Sequence, residues 1–197
     1  MGRNYGQLAT DVYGVTADEA KIARLKFSAE QAAAADDDGV HAAITGSSTA
    51  AKTVTTDIEK MPCARNITVK AGGTSADIAG GKVVIVGEDM NGDEISEEFT
   101  ITENTAATVT GDKAFASVKS ITIPQQDGSG ATFKIGYGVK LGLPYKLAGG
   151  VVVDAIFDGT VESTKPTLAT DADNVSGNTV SLNSSLNAKE VVVFLTL

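Results

Sequence analysis

The chain has no tryptophan, one cysteine, one histidine and four prolines among its 197 residues, and each shortage excludes something. The single cysteine, Cys63, has no partner for an internal disulfide, so stability has to come from packing or from assembly. One Cys and one His, His41, do not amount to a zinc ligand set within one chain. Paired carboxylates suit glycoside hydrolysis. A chain without Trp and with four Tyr nevertheless has little aromatic surface on which to rest a sugar ring. No stretch approaches the roughly 18 consecutive apolar residues of a membrane helix. The start MGRNYGQLATDVYG carries no apolar run of the signal-peptide kind. The expectation is a protein without a membrane partner that folds in the cytoplasm of the cell that makes it.

Basic segments are also missing. Residues 1–40 carry 4 basic and 7 acidic side chains, residues 41–150 carry 10 and 12, and residues 151–197 carry 2 and 6. The net charge of −9 is spread along the chain and leaves no electrostatic footprint for a phosphate backbone. No nucleic-acid partner is expected.

What the chain does have is 21 glycines, abundant Thr and Ser, and an apolar fraction of 42% made mostly of Val, Ile, Leu and Ala. Small and β-branched side chains suit pleated sheets joined by tight turns. The expected fold is mainly β. It has an antiparallel sandwich or barrel body over residues 41–148, an N-terminal arm over 1–40 with a short helix, and a small C-terminal β region over 149–197, free to pack on the first.

In the arm, Thr16-Ala17-Asp18-Glu19 and Ser28-Ala29-Glu30-Gln31 both fit capping boxes, and Ile22, Leu25 and Ala29 share a helical face. Asp36-Asp37-Asp38-Gly39 reads as a stop or turn, because acidic side chains sit badly at a helix C-terminus. A rival reading makes Leu25 and Phe27 alternate positions of a short strand. Under either reading, Tyr5, Tyr13, Leu25 and Phe27 are interface candidates that need burial against something else.

From about residue 53 the apolar period becomes two. Ile67 and Val69 alternate with polar neighbours, residues 82–86 read as a buried strand, and Asn91-Gly92 predicts a type I′ hairpin turn. Phe133, Ile135, Tyr137, Val139, Leu141 and Leu143 share one parity of a long strand. Its glycines, 136, 138 and 142, allow another backbone or a bulge to approach. Asp158-Gly159 is a second hairpin turn. The last apolar run, residues 191–195, is apolar on both faces, so it has to be central in a sheet or covered by a partner. Phe194 joins the interface candidates.

Chemistry finds no foothold in these motifs. Nothing places His41 beside Cys63, and Cys63 lacks a nucleophile-elbow context. Asp89-Met90-Asn91-Gly92-Asp93 alternates oxygen ligands but has Glu94 and Thr100 where a calcium loop needs Gly and a bidentate Glu. Gly80-Gly81-Lys82-Val83 and Gly128-Ser129-Gly130 both miss phosphate-loop requirements. No catalytic residue, metal or cofactor is expected.

Three segments carry a likeness: Met61-Pro62-Cys63-Ala64-Arg65-Asn66-Ile67; Ser120-Ile121-Thr122-Ile123-Pro124 with Asp127-Gly128-Ser129-Gly130-Ala131-Thr132; and Lys140-Leu141-Gly142-Leu143-Pro144-Tyr145. With them the chain resembles a group of tailed-bacteriophage and prophage virion proteins of similar length, often encoded close to capsid genes. The likeness runs from Leu25-Lys26-Phe27 to Asn183-Ser184-Ser185. It implies a head-associated structural role: decorating or stabilising the outer surface of the capsid, with the major capsid protein and further copies of the chain as partners. A tail or fibre role, such as receptor or carbohydrate binding, comes second. Work around capsid symmetry axes favours a homotrimer or another closed oligomer.

Overall fold

The computed structural model describes residues 21–197. They form fourteen strands: β1 (Ile22–Phe27), β2 (Asp36–Thr45), β3 (Lys52–Val54), β4 (Arg65–Gly73), β5 (Gly81–Glu88), β6 (Glu94–Ile101), β7 (Thr108–Phe115), β8 (Ser117–Ile123), β9 (Ala131–Gly142), β10 (Val152–Phe157), β11 (Thr160–Val161), β12 (Thr167–Ala169), β13 (Thr179–Ser181) and β14 (Val191–Thr196). Two single 3₁₀ turns, Ser75–Asp77 and Val175–Gly177, complete the elements. The chain is mainly β and its sheets are antiparallel, as composition and period imply.

Three sheets result. The central one runs β12-β13-β9-β4-β7, with β2 also paired to β9; the second runs β3-β8-β5-β6; the third runs β1-β14-β10-β11. Alternation along the strands builds a first core from Ile67 and Val69 on β4, Phe133 and Ile135 on β9, Val83 and Ile85 on β5, and Ile121 and Ile123 on β8. Each such side chain, once removed from water, contributes about 1.5–3 kcal/mol. A second core gathers Leu141 from the far end of β9, Leu143 just beyond it, Val180 of β13, and the inward faces of β1, β10 and β14. The twelve-residue β9 therefore runs through both cores.

Asp158-Gly159 forms the two-residue turn between β10 and β11, with φ of 48° and 76°, as a type I′ turn requires. Asn91-Gly92 does lie in a hairpin, between β5 and β6, but not as a type I′ turn. Only Gly92 has positive φ, at 84°. Here the buried Asp89 accepts hydrogen bonds at Oδ1 from the amides of Asn91 and Asp93, at 2.8 and 3.2 Å, and holds a longer loop together. The side-chain bonds outweigh the dipeptide's own preference.

The helical face of Ile22, Leu25 and Ala29 is also corrected. Residues 22–27 are a strand, because β14 offers a hydrogen-bonding edge and Ala23, Leu25 and Phe27 alternate toward the second core. The Ser28–Gln31 box does form. The Ser28 amide donates to Gln31 Oε1, and the Gln31 amide donates to Ser28 Oγ, closing one turn from which no helix grows. The Thr16–Glu19 box lies outside the described residues. Asp36 begins β2 and ends no helix; Asp37 and Asp38 are neutralised by Lys70 of β4 and Lys134 of β9. Residue 40 falls within β2, and residues 148 and 149 fall between β9 and β10.

The glycines of β9 act as anticipated. A Cβ on Gly136 would strike the backbone carbonyl of Asp36, so β2 crosses there only because the side chain is absent.

Candidate functional site: the outer face of the terminal sheet

The last strand is central, as its two apolar faces demanded: β14 lies between β1 and β10. Its edges are thus satisfied within the chain, and partner strands are not needed there. Leu25 is half-buried and Phe27 is 8% exposed, both turned toward the second core. Phe194 is half-buried on the opposite, outward face. Tyr5 and Tyr13 lie outside the described residues.

That outward face follows from the register. Arg24 of β1 stands opposite Phe194, which stands opposite Asp154 of β10. One row along, Lys26, Val192, Ile156 and Val161 line up across four strands. A bulge between Val152 and Asp154 turns the extra residue, Val153, to solvent. Among the described residues the exposed large hydrophobics are Ile22, Met90, Val139, Val151, Val153, Val161 and Leu197. All but Met90 and Val139 belong to the third sheet or adjoin its strand ends. An antiparallel sheet with one packed face normally wets the other with polar side chains. This one keeps an apolar centre, with Arg24 and Lys26 on the β1 side and Asp154 on the β10 side. Lys26 pairs with Glu190 at 2.7 Å.

A cleft of about 490 Å³ lies elsewhere, lined by Glu30, Ala33, Lys60, Met61, Pro62 and Tyr137. Behind it Arg65 is fully buried, with its guanidinium carbon 4.7 Å from the centre of the Tyr137 ring. Arg65 donates to the Ala33 carbonyl at 2.7 Å and to the Gly138 carbonyl, while its Nε has no partner. Among the described residues no carboxylate pairs with it. The ring quadrupole and two carbonyls hold the charge instead, tying the turn at residues 28–33 to β4 and β9. The neighbouring Cys63 thiol donates to the Gln31 carbonyl. Burial pushes it up to about 11, against the opposing pull of Arg65, so the thiol stays neutral and unreactive. His41, on β2, makes its ring contact with the Ala42 carbonyl, and no bond joins it to Cys63.

The glycine-rich turn weighed for a phosphate is satisfied internally. The Gly130 amide donates to Asp77 Oδ2 at 2.7 Å, and the Asp127 and Gly128 amides donate to the Asp77 carbonyl. The glycine-rich turn thus cradles an anion of its own chain; a Cβ on Gly128 or Gly130 would strike that carboxylate. Among the described residues no group of three or more His, Cys, Asp or Glu side chains is arranged to hold a metal. No helix among them is long and apolar enough to cross a membrane. Sequence reasoning missed Asp77 and Arg65, because both act on partners far away in the chain. The composition of residues 151–161, four valines and an isoleucine with two charges, was the available signal for the apolar face.

No protein-family model, curated protein or solved structure matches the chain. The segments at residues 61–67, 120–132 and 140–145 fall at the approach to β4, at the turn from β8 to β9, and at the exit of β9 into the second core.

Proposed function

We propose that the protein is a structural subunit of a phage virion that binds the outer surface of the head shell as an oligomer, in contact with the major capsid protein. The observation that carries this reading is the apolar outer face of the third sheet, a surface suited to protein contacts. The β body supports it, since a subunit that reinforces a shell benefits from strands stapled by long-range pairing. The sequence likeness supplies the virion setting. The reading assigns no catalytic role to His41 or Cys63. Quantitative protein analysis of purified particles tests it: the chain is expected at many copies per particle, and its removal is expected to leave shells that break more readily. Absence from particles, or a few copies only, overturns the reading.

A second reading, a fibre or carbohydrate-binding module, is favoured by the loop of residues 170–178. There the buried Asn178 accepts from the Leu147 and Asp171 amides and donates to the Asp171 and Asn174 carbonyls. A loop held this way is preorganised for recognition. Binding of the full chain to a glycan array, lost on Asp173→Ala or Asn174→Ala, would favour the module over the shell subunit.

A further inference from the structure

We infer that the outer face of the third sheet is a self-complementary interface, on which a second copy of this chain packs about a two-fold axis running along β14. The inference specifies the self-association contained in the proposed function, and it stands on the sheet alone.

The register fixes the pattern. Across one row, Arg24, Phe194 and Asp154 occupy β1, β14 and β10. The face is thus positive on one flank, apolar in the middle and negative on the other. Rotation by a half-turn about β14 exchanges the flanks and leaves each row at its own height. Phe194 then meets the second copy's Phe194, and Arg24 meets the second copy's Asp154, twice by symmetry. In the next row Val192 is already buried within the chain and offers little to a second copy, and Lys26 comes over the second copy's Ile156. A two-fold axis across the strands would instead set Arg24 over Arg24, which like-charge repulsion disfavours. The charges therefore favour the axis along the strands over the axis across them; both leave the strands aligned, as in sandwiches. Contacts of this isologous kind close on themselves and do not grow into fibres.

Other groups near the face are accounted for. Lys26 is drawn toward Glu190, and Asp158 lies 3.5 Å from Lys189, so these two pairs are neutral as they stand. Among the described residues Arg24 has no ion-pair partner and the Asp154 carboxylate accepts only the Ala155 amide. The two that the rotation brings together are the two left without an ion-pair partner among the described residues.

Size sets the strength. Three long strands about 4.8 Å apart and roughly 20 Å long present a footprint of about 300 Å² per copy. That is about 600 Å² for the two copies together, below the size of a stable interface, so the dimer is expected to be weak and transient.

Sedimentation velocity of the full chain over a concentration series tests the inference. The expected result is a monomer–dimer equilibrium that weakens with added salt. Arg24→Asp and Asp154→Arg, both at solvent-facing positions, should each weaken dimerisation by at least about tenfold. The double reversal should restore it, with unchanged circular dichroism throughout. A chain that stays monomeric at every concentration overturns the inference. So does a chain that dimerises only after residues 1–20 are removed, which would make that segment the occupant. Equal behaviour of the single and double reversals overturns the axis along β14. A dimer that is absent from particles sinks the virion reading alone; a particle-bound monomer sinks this one alone.

Discussion

The two cores of the molecule are built from different material. The first buries isoleucine on β2, β4, β5, β6, β8 and β9 and three phenylalanines, Phe99, Phe115 and Phe133. Among the described residues the second buries no isoleucine and one phenylalanine, Phe27, with leucine, valine and alanine; Phe157 and Tyr145 pack against it half-buried. Around the first, only β5 and β6 are paired neighbours in sequence, while β2 and β4 both pair with the distant β9. The second is enclosed by the two ends of the described chain, since Ile22 pairs with Thr196. Pairing so distant in sequence carries a larger loop-closure cost before it gains contacts. The difference teaches where the molecule can afford exposure. The well-filled core anchors the body, and the lighter one supports the sheet whose outer face remains open to a partner.

The contrast can be broken most directly by cavities. Phe133→Ala is expected to cost about 3–5 kcal/mol and Leu195→Ala about 2–5 kcal/mol. Because β9 belongs to both cores, both variants should shift one cooperative urea transition. Two separate transitions would show that the cores unfold independently. Arg65→Lys should come next, losing about 1–3 kcal/mol, since an ammonium does not serve the Ala33 and Gly138 carbonyls together. Its amide-exchange signature should fall on residues 28–36 as well as on β4 and β9. A cost of about 1 kcal/mol is expected for Gly159→Ala, whose φ of 76° strains a side chain. That loss should loosen β10 and β11 without touching the first core, as read by amide exchange.

The smallest effect is one of pH and belongs to the first core's rim. Glu97 Oε1 accepts from the Asp112 and Lys113 amides, while Oε2 is buried without a partner. Burial raises its pKa above the ordinary carboxylate value, with the two amide bonds opposing. A carboxyl raised in the folded state is a protonated group that folding favours. Its contribution is full below the unfolded value and is lost as pH rises through the raised one. Glu97→Gln should therefore raise the melting temperature near neutrality and make no difference at acid pH. An equal gain at both pH values would locate the effect elsewhere.

Much of this was legible in the residues. The period-two runs at Ile67 and Val69, the Asp158-Gly159 turn and the closely approached glycines of β9 all follow from local rules; residues 191–195 were left either central or covered by a partner, and the fold made them central. Where local rules failed, a distant partner had intervened. Ile22, Leu25 and Ala29 satisfy a helix, but β14, some 170 residues away, offered residues 22–27 an edge to pair with. Asn91-Gly92 satisfies a type I′ turn, yet Asp89 reached two amides and chose another loop. The candidate surface shows the same division. Phe194 was recognisable as an apolar residue with no obvious cover. Its place in a row with Arg24 and Asp154 was not recognisable, because that row joins three strands that only the fold assembles.

By itself, then, the sequence settled the class of the protein and many of its turns, since residue size, branching and glycine placement act over a few residues. Only the tertiary structure decided which strands became neighbours. Hydrogen-bonded edges and buried charges such as Arg65 draw their energy from groups far along the chain, and no local pattern specifies which groups those will be.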